Sequence, residues 1–478
     1  MRDVDDRRIL SVLSVTTLAS LLTGLNARLA VVGLPIIAGE LNASVDAILW
    51  IIQGYMIGST VIQLIVGKLS DIYGRVRLFN TGFLIFIIAA IIAGFSPNPI
   101  VLILSRIIQG VGGAFLMTLS ITILTDNIPR GRLATWLGVN QVAWRVGAIV
   151  GLSLSGVIID LLGWRWLYLS YVPIGLVFYL WGVKTLKEVY RPYENPRIDR
   201  IGFILFTSFL STILISLTLF TFGSSYLYYA YILLFVSIIF LVFFVFWEVK
   251  TPLPALDFSL FKIWQFTGGI ISQLLYSIGF GASSTLLVLY LEVVRGYSAT
   301  LTGVALIPFE FSYLLFGLLG GRISDRYGYV KITVTGLIIS SIAFYCFSSM
   351  NMATDLNMVF LYQVIFGFGA GLFVAPNTSS IMTSVSHDKR GVASAIRSIS
   401  FNIGFLLSLN IAILSMVQYI PYDIASKLIA AKSLASEGGG YTLIDLLNAI
   451  SKSFLIQAIA MASAIPFSLA RGLKANRK

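Results

Sequence analysis

Gly67-Lys68-Leu69-Ser70-Asp71-Ile72-Tyr73-Gly74-Arg75-Val76-Arg77 returns later in the chain as Gly321-Arg322-Ile323-Ser324-Asp325-Arg326-Tyr327-Gly328-Tyr329-Val330-Lys331. Each copy is a short charged stretch between two long apolar runs. Repetition over such a distance means that the chain consists of two related halves. Outward from these copies, fourteen apolar runs fill the sequence, at 9–39, 46–66, 78–96, 99–122, 133–158, 166–184, 201–221, 227–247, 266–292, 301–320, 331–350, 357–382, 392–416 and 449–470. Runs of about 20 residues are the signature of membrane-spanning helices. The first run follows Arg7 and Arg8 but is too long for a signal peptide and has no small-residue cleavage site, so it is expected to be an uncleaved span.

Composition agrees. Of the 478 residues, 57% are hydrophobic and 11% charged, whereas a soluble domain carries about a quarter charged residues. The formal net charge of +12 invites a nucleic-acid reading, but the placement of the charges opposes it. With the N-terminus inside, 25 of the 33 Lys and Arg fall in inner segments. Arg165, Arg295, Lys427, Lys432 and Lys452 fall outside, and Arg28, Arg106 and Arg145 lie within spans. The positive-inside rule then predicts cytoplasmic termini. Cys346 is the only cysteine and His387 the only histidine, so no intramolecular disulfide, zinc site or His-containing triad can be built within one chain, and neither cofactor nor metal is expected.

The echo continues beyond the motif. Gly110-Val111-Gly112-Gly113-Ala114 pairs with Gly367-Phe368-Gly369-Ala370-Gly371, and Pro129-Arg130-Gly131 with Lys389-Arg390-Gly391. The expected organisation is an N-terminal six-helix bundle (1–184), a cytoplasmic linker (185–200) with Pro192 and Pro196, two inserted helices (201–247), a second linker (248–265) and a C-terminal six-helix bundle (266–478). The inserted helices are poor in polar residues and are expected to face lipid. The outer segment 417–448, with Gly438-Gly439-Gly440, is expected to hold a short amphipathic stretch.

These residues resemble a known family. The chain is similar to the fourteen-helix drug:proton antiporter branch of the major facilitator superfamily. The loop pattern G-x-L-x-D-x-x-G-R-x-R is met by Gly67, Leu69, Asp71, Gly74, Arg75 and Arg77, and R-x-x-Q-G-x-G by Arg106, Gln109, Gly110 and Gly112. Trp164-Arg165-Trp166 with Pro173-Ile174-Gly175 resembles a further signature of the branch. The resemblance implies an all-α polytopic membrane protein, major-facilitator-like, with 14 transmembrane helices: two six-helix bundles, two inserted helices and alternating access around a central site. Two departures stand out. The branch acid on the first helix is replaced by Asn26, which cannot carry a proton, with Arg28 two residues on. The fifth span has Gly151-Leu152-Ser153-Leu154-Ser155-Gly156 and no proline, so the bend a proline would give is expected to be absent or softer.

The resemblance implies that the loop motif latches the two halves on the cytoplasmic side, through Gly67, Asp71, Gly74, Arg75 and Arg77 in one copy and Gly321, Asp325, Arg326 and Gly328 in the other. A plain positively charged loop is the alternative. Tyr329 stands where the first copy has Arg75, so the two latches need not be equally strong. Ionisable groups at a helix centre cost about 3 kcal/mol or more, which makes each a functional candidate. Glu310 is the only acid near the middle of a span, about eleven residues from the inner end of its run, and Arg145 is about twelve from the inner end of its own. At about 1.5 Å per residue their depths agree within a turn. By resemblance their helices face each other, so Arg145 and Glu310 are expected to pair, either as a proton-linked switch or as a permanent ion pair. Arg106 matches the position associated with proton coupling, with hydrogen bonding to backbone carbonyls as its structural alternative. Gln109, three residues on, shares its face.

Asn26, Gln53, Gln109, Gln273, Tyr276 and Asn377 are candidate substrate contacts, although most intramembrane amides join helices. The expected activity is secondary active transport, as proton-coupled efflux of amphipathic organic compounds or drugs. Transport of an anionic metabolite is the alternative, since three arginines face one acid. A non-transporting membrane sensor comes third. The expected partners are a small-molecule substrate, protons and the lipid bilayer of the cell membrane, with no nucleic acid, and the chain is expected to be a monomer. Neither an ATP-binding loop nor a nucleophile–base set suggests an enzyme.

Overall fold

The computed structural model describes residues 6–189, 198–252, 254–429 and 441–475. The linker prolines Pro192 and Pro196, the Gly438-Gly439-Gly440 stretch and the Arg28 side chain lie outside what is described. Among the described residues there is no strand. Helices run as α1 (Asp6–Glu40), α2 (Val45–Tyr73), α3 (Arg75–Gly94), α4 (Pro99–Asn127), α5 (Leu133–Leu162), α6 (Trp166–Leu169), α7 (Tyr171–Thr185), α8 (Arg200–Phe220) and α9 (Leu227–Lys250). They continue as α10 (Trp264–Phe280), α11 (Ser283–Leu289), α12 (Ala299–Tyr327), α13 (Tyr329–Ser348), α14 (Leu356–Thr383), α15 (Arg390–Met416), α16 (Tyr422–Ile429) and α17 (Leu443–Ala475). Thirteen stretches are long and apolar enough to cross a membrane, or 14 counting the bent α5 as one span. The chain is therefore a multi-pass membrane protein. Two segments of α5, up to Gly151 and from Leu154, meet at 40°. A bend is thus present without proline, between Gly151 and Leu154, and glycine–serine pairs are a known cause of kinks.

Local signals set the helix ends. Ser44, Asn98 and Ser298 accept from the backbone N–H three residues on, at 3.2, 3.0 and 3.2 Å, as N-caps do. Thr442 and Asp445 hydrogen-bond reciprocally at the start of α17. The amphipathic stretch expected in the outer segment is α16, which buries Ala425, Leu428 and Ile429.

Backbone contacts divide the chain into two compact units. Unit 1 comprises Met1–Ser211, Phe240–Leu260 and Ile381–Ile399; unit 2 comprises Thr212–Ile239, Phe261–Ser380 and Ser400–Lys478. The inserted α8 and α9 are shared: one end of each belongs to unit 1 and the other to unit 2. Both units use glycine to bring helices close. A Cβ on Gly110 of α4 would stand 2.2 Å from the Tyr55 carbonyl oxygen of α2, and one on Gly367 of α14 would stand 2.4 Å from the Phe309 oxygen of α12. The glycine echo in sequence is therefore the same packing device, found in both units.

Candidate functional site

The first repeat copy forms a buried ionic cluster in unit 1. Gly67 lets α2 touch the start of α15, since a Cβ there would stand 2.5 Å from the Gly391 carbonyl oxygen. One turn on, Asp71 accepts from Arg75 Nη2 at 2.9 Å and from the backbone N–H groups of Gly391 and Val392 at 3.1 and 3.2 Å. It caps the N-terminus of a helix more than three hundred residues away, where free N–H groups and the helix dipole favour a carboxylate. Arg75 also pairs with Asp126 at the end of α4 and donates to the His387 carbonyl. Arg390 donates to Asp126 at 2.7 Å and to the Thr125 carbonyl at 3.0 Å. His387 Nδ1 lies 3.3 Å from Asp126. The side chains of Asp71, Arg75, Asp126 and Arg390 are all within 5% exposure, so two acids and two arginines neutralise each other out of water. Arg77 is exposed and stands outside this cluster.

Beside the cluster, Lys389 Nζ meets Asp257 at 2.5 Å. Partial burial pushes the Asp257 carboxyl up, but hydrogen bonds from Lys389 and Ser259 outweigh it and hold the carboxyl down at about 2. A depressed carboxylate stabilises the fold above its unfolded value and loses that contribution as pH falls through the folded one. This tie is therefore expected to be intact at neutral pH and to weaken only between about pH 4 and pH 2. Thermal unfolding of wild type and Asp257→Asn across that window should converge at its acid end.

Gly74, between α2 and α3, has φ +98°, ψ 146°, a region essentially reserved for glycine that costs other residues about 1–3 kcal/mol. Its Cβ would also stand 2.8 Å from Glu188. Gly328, its counterpart in unit 2, has φ +87° with nothing within 4 Å of a Cβ. Gly74→Ala is expected to lower the melting temperature more than Gly328→Ala, and the reverse order would contradict the crowding. In that second copy Gly321 is buried, Asp325 half-buried and Arg326 exposed, with its guanidinium 5.3 Å from the Tyr327 ring.

A second buried group in unit 1 centres on Arg106. Its Nη1 donates to Asn26 Oδ1 at 2.6 Å and to Gln109 Oε1 at 2.5 Å, and its Nε to the Ile51 carbonyl at 3.3 Å. The guanidinium lies 4.9 Å from the Tyr55 ring and 5.7 Å from that of Tyr168. Arg106 and Gln109 meet as their spacing requires, and the amide standing in place of the family acid is held by the arginine. Among the described residues no carboxylate pairs with Arg106. Gln109 Nε2 is buried without a hydrogen-bond partner, and the Tyr55 hydroxyl lies beside the Asn26 side chain.

In unit 2, Gln273 Oε1 accepts from Asn377 Nδ2 at 3.4 Å, and Asn377 Oδ1 accepts from Arg471 Nη1 at 2.8 Å. Arg471 is 1% exposed, reaches Ser380, Thr333 and Ser468, and lies 5.7 Å from the Tyr329 ring. Where the second copy lacks the motif arginine, α17 thus brings one to the tyrosine in its place. Tyr276 stacks on Phe280 at 5.9 Å, and Phe280 in turn lies near Phe309, Phe366 and Phe401. Gln273 and Asn377 spend polar atoms on helix contacts. Gln53 is half-buried in unit 1, as is Arg145, whose guanidinium lies 5.7 Å from the Trp144 ring. Glu310 is half-buried in unit 2, on α12 beyond Pro308.

Sequence reasoning missed Asp126, Arg471 and the tyrosines around Arg106, and it noted Arg390 only as part of an echo. Asp126 did carry a signal, as an acid just before the basic Pro129-Arg130-Gly131 turn. Arg471 carried none, because it looked like one more inner-side charge.

A family model described as Major Facilitator Superfamily matches residues 16–251 and 269–425. The riboflavin transporter RibZ of Clostridioides difficile (strain 630) is 30% identical over 374 residues, spanning 77% of this chain and 81% of that protein. The multidrug export protein EmrB of Escherichia coli (strain K12) is 28% identical over 386 residues, spanning 80% of this chain and 75% of that protein. Among solved structures, the proton:xylose symporter XylE superposes with a TM-score of 0.65 at 14% identity, covering 97% of each chain, a likeness of fold.

Proposed function

Because this chain belongs to the major facilitator superfamily and is one of its secondary transporters, we propose that it exports amphipathic organic compounds in exchange for protons, by alternating access. Glu310 carries this reading. It is a half-buried carboxyl in the middle of the apolar, proline-containing α12, where an ionisable group is costly unless it is used. Asn26 cannot titrate, so the proton falls to Glu310. Arg145 serves as its counter-charge and Arg106 as a second cation, since nearby positive charge favours the ionised carboxylate. The Asp71–Arg75–Asp126–Arg390 cluster serves as the latch that opens and closes in the cycle, with the second copy as its weaker counterpart. Gln53, Gln109, Gln273, Tyr276 and Asn377 line the substrate path. The protein works as a monomer in the cell membrane, both termini inside, as the distribution of Lys and Arg supports.

One observation favours a second reading. The Arg106 guanidinium is balanced by amide oxygens and aromatic faces, which leaves a net positive charge suited to an anionic metabolite. Uptake into proteoliposomes, with and without an imposed pH gradient, separates the two. A cationic dye, an anionic counterpart and riboflavin, for which one relative is named, are the compounds to compare. Gradient-driven movement of the cation is the expected result. Movement of the anion, or movement indifferent to the gradient, would overturn drug:proton exchange.

A further inference from the structure

The insert carries a second pair of carboxyls, unconnected with Glu310. Asp199 precedes α8 and accepts from the Gly202 N–H at 2.9 Å and from the Trp247 indole N–H at 2.9 Å. Glu248, near the end of α9, is 3% exposed. Its Oε2 accepts from the Leu256 N–H at 3.4 Å and the Ala255 N–H also reaches the carboxyl, while Oε1 is buried and makes no hydrogen bond that meets geometric criteria. Both acids converge on Gly202. A Cβ there would stand 2.3 Å from Asp199 Oδ2 and 2.6 Å from Glu248 Oε1, so both oxygens border the space that glycine leaves open. All these residues belong to unit 1.

Two ionised carboxylates in such a place repel each other, and a buried oxygen without a donor is costly. A single proton removes both costs, because the protonated acid donates to its neighbour. A metal or alkali cation fits worse. The Leu256 N–H, a donor, already points at one Glu248 oxygen, no group of three His, Cys, Asp or Glu stands here among the described residues, and hard cations take about six oxygen ligands. The other charge that acts on Glu248 is Lys68 of α2, through space and without an ion pair; of the neighbours in sequence, Arg200 is exposed and the Lys250 ammonium sits 3.8 Å from the Phe246 ring centre.

We propose that Asp199 and Glu248 together bind one proton, as a carboxyl–carboxylate pair that fastens the start of α8 to the end of α9. With the proton bound, the acid hydroxyl of Glu248 donates to Asp199. When the proton leaves, like charges face each other across Gly202 and the two helix ends separate. Trp247, hydrogen-bonded to Asp199, reports the change.

Infrared difference spectra of the protein in nanodiscs, titrated with pH, test this without any transport assay. Wild type is expected to show a protonated-carboxyl C=O band that disappears as pH rises, together with a change in tryptophan emission. The tryptophan change and the part of the band that belongs to the pair should be lost in Glu248→Gln and Asp199→Asn and kept in Glu310→Gln, which removes only the contribution of Glu310. Gly202→Ala keeps both carboxyls but fills the space between them, and is expected to shift the transition. Should Glu248→Gln not fold, Asp199→Asn carries the test, since its amide can donate to Glu248 and leave it ionised. A band unaltered in Asp199→Asn or Glu248→Gln would overturn the shared proton. So would a transition that follows sodium or potassium at fixed pH, which would make the pair a cation site.

Discussion

Replacing Arg75 with alanine is expected to lower the melting temperature of the solubilised protein markedly and to cut transport at least tenfold. Arg75 is 1% exposed and is the cation shared by Asp71 and Asp126, whose side chains are 3% and 4% exposed. Removing one partner of a buried ion pair costs about 3–5 kcal/mol, chiefly because the other charge stays buried and unbalanced. Here two acids would be left with Arg390 alone. Arg75→Lys should rescue little, because a single ammonium cannot reproduce a fork that reaches two carboxylates and a carbonyl. Arg75→Ala with Asp126→Asn should recover part of the loss, since neutralising one acid relieves the excess charge. Arg77→Ala, exposed and two residues on, should change stability by no more than about 0.5 kcal/mol. If Arg75→Ala melts like wild type, the cluster contributes nothing that holds unit 1 together.

Glu310→Gln is expected to abolish gradient-driven uptake while leaving substrate exchange without a gradient measurable. Glutamine keeps the shape and polarity of the side chain and removes only the capacity to bind and release a proton. A loss of both activities would point to a structural role. A loss of neither would remove Glu310 as the proton carrier and leave the anion reading as the stronger one. Glu310→Asp, which keeps the carboxyl but draws it back, should retain coupling at a reduced rate.

The spans were legible because each is a long apolar run, and a bilayer admits little else. The repeat was legible because glycines and charges recur at matching places. The Asp71–Arg75 contact is short-range as well, an acid at the end of α2 meeting the arginine just past the Gly74 turn. What the linear text could not show is the rest of that cluster. Asp126 and Arg390 are separated from the motif by whole helices, and only packing decides that they meet it. The same holds for Arg471, which reaches Asn377 from ninety-four residues away. Asn26 was read as a lost acid, and the structure adds that its carbonyl oxygen is held by Arg106. The inserted helices look uniform as letters, yet each divides between the two units.

The capping of α15 by Asp71 also bears on how the chain comes off the ribosome. The N–H groups that satisfy this carboxylate lie 320 residues downstream. At translation rates of about 5–20 residues per second, Asp71 waits on the order of half a minute for them. During that interval the rest of the first six spans is made while the carboxylate, beside Arg75, lacks the backbone donors that only Gly391 and Val392 supply. Biogenesis of unit 1 is therefore not complete when its own six spans are made. It ends with a segment synthesised late in the chain, so a nascent protein stalled before Gly391 holds this carboxylate without its backbone donors.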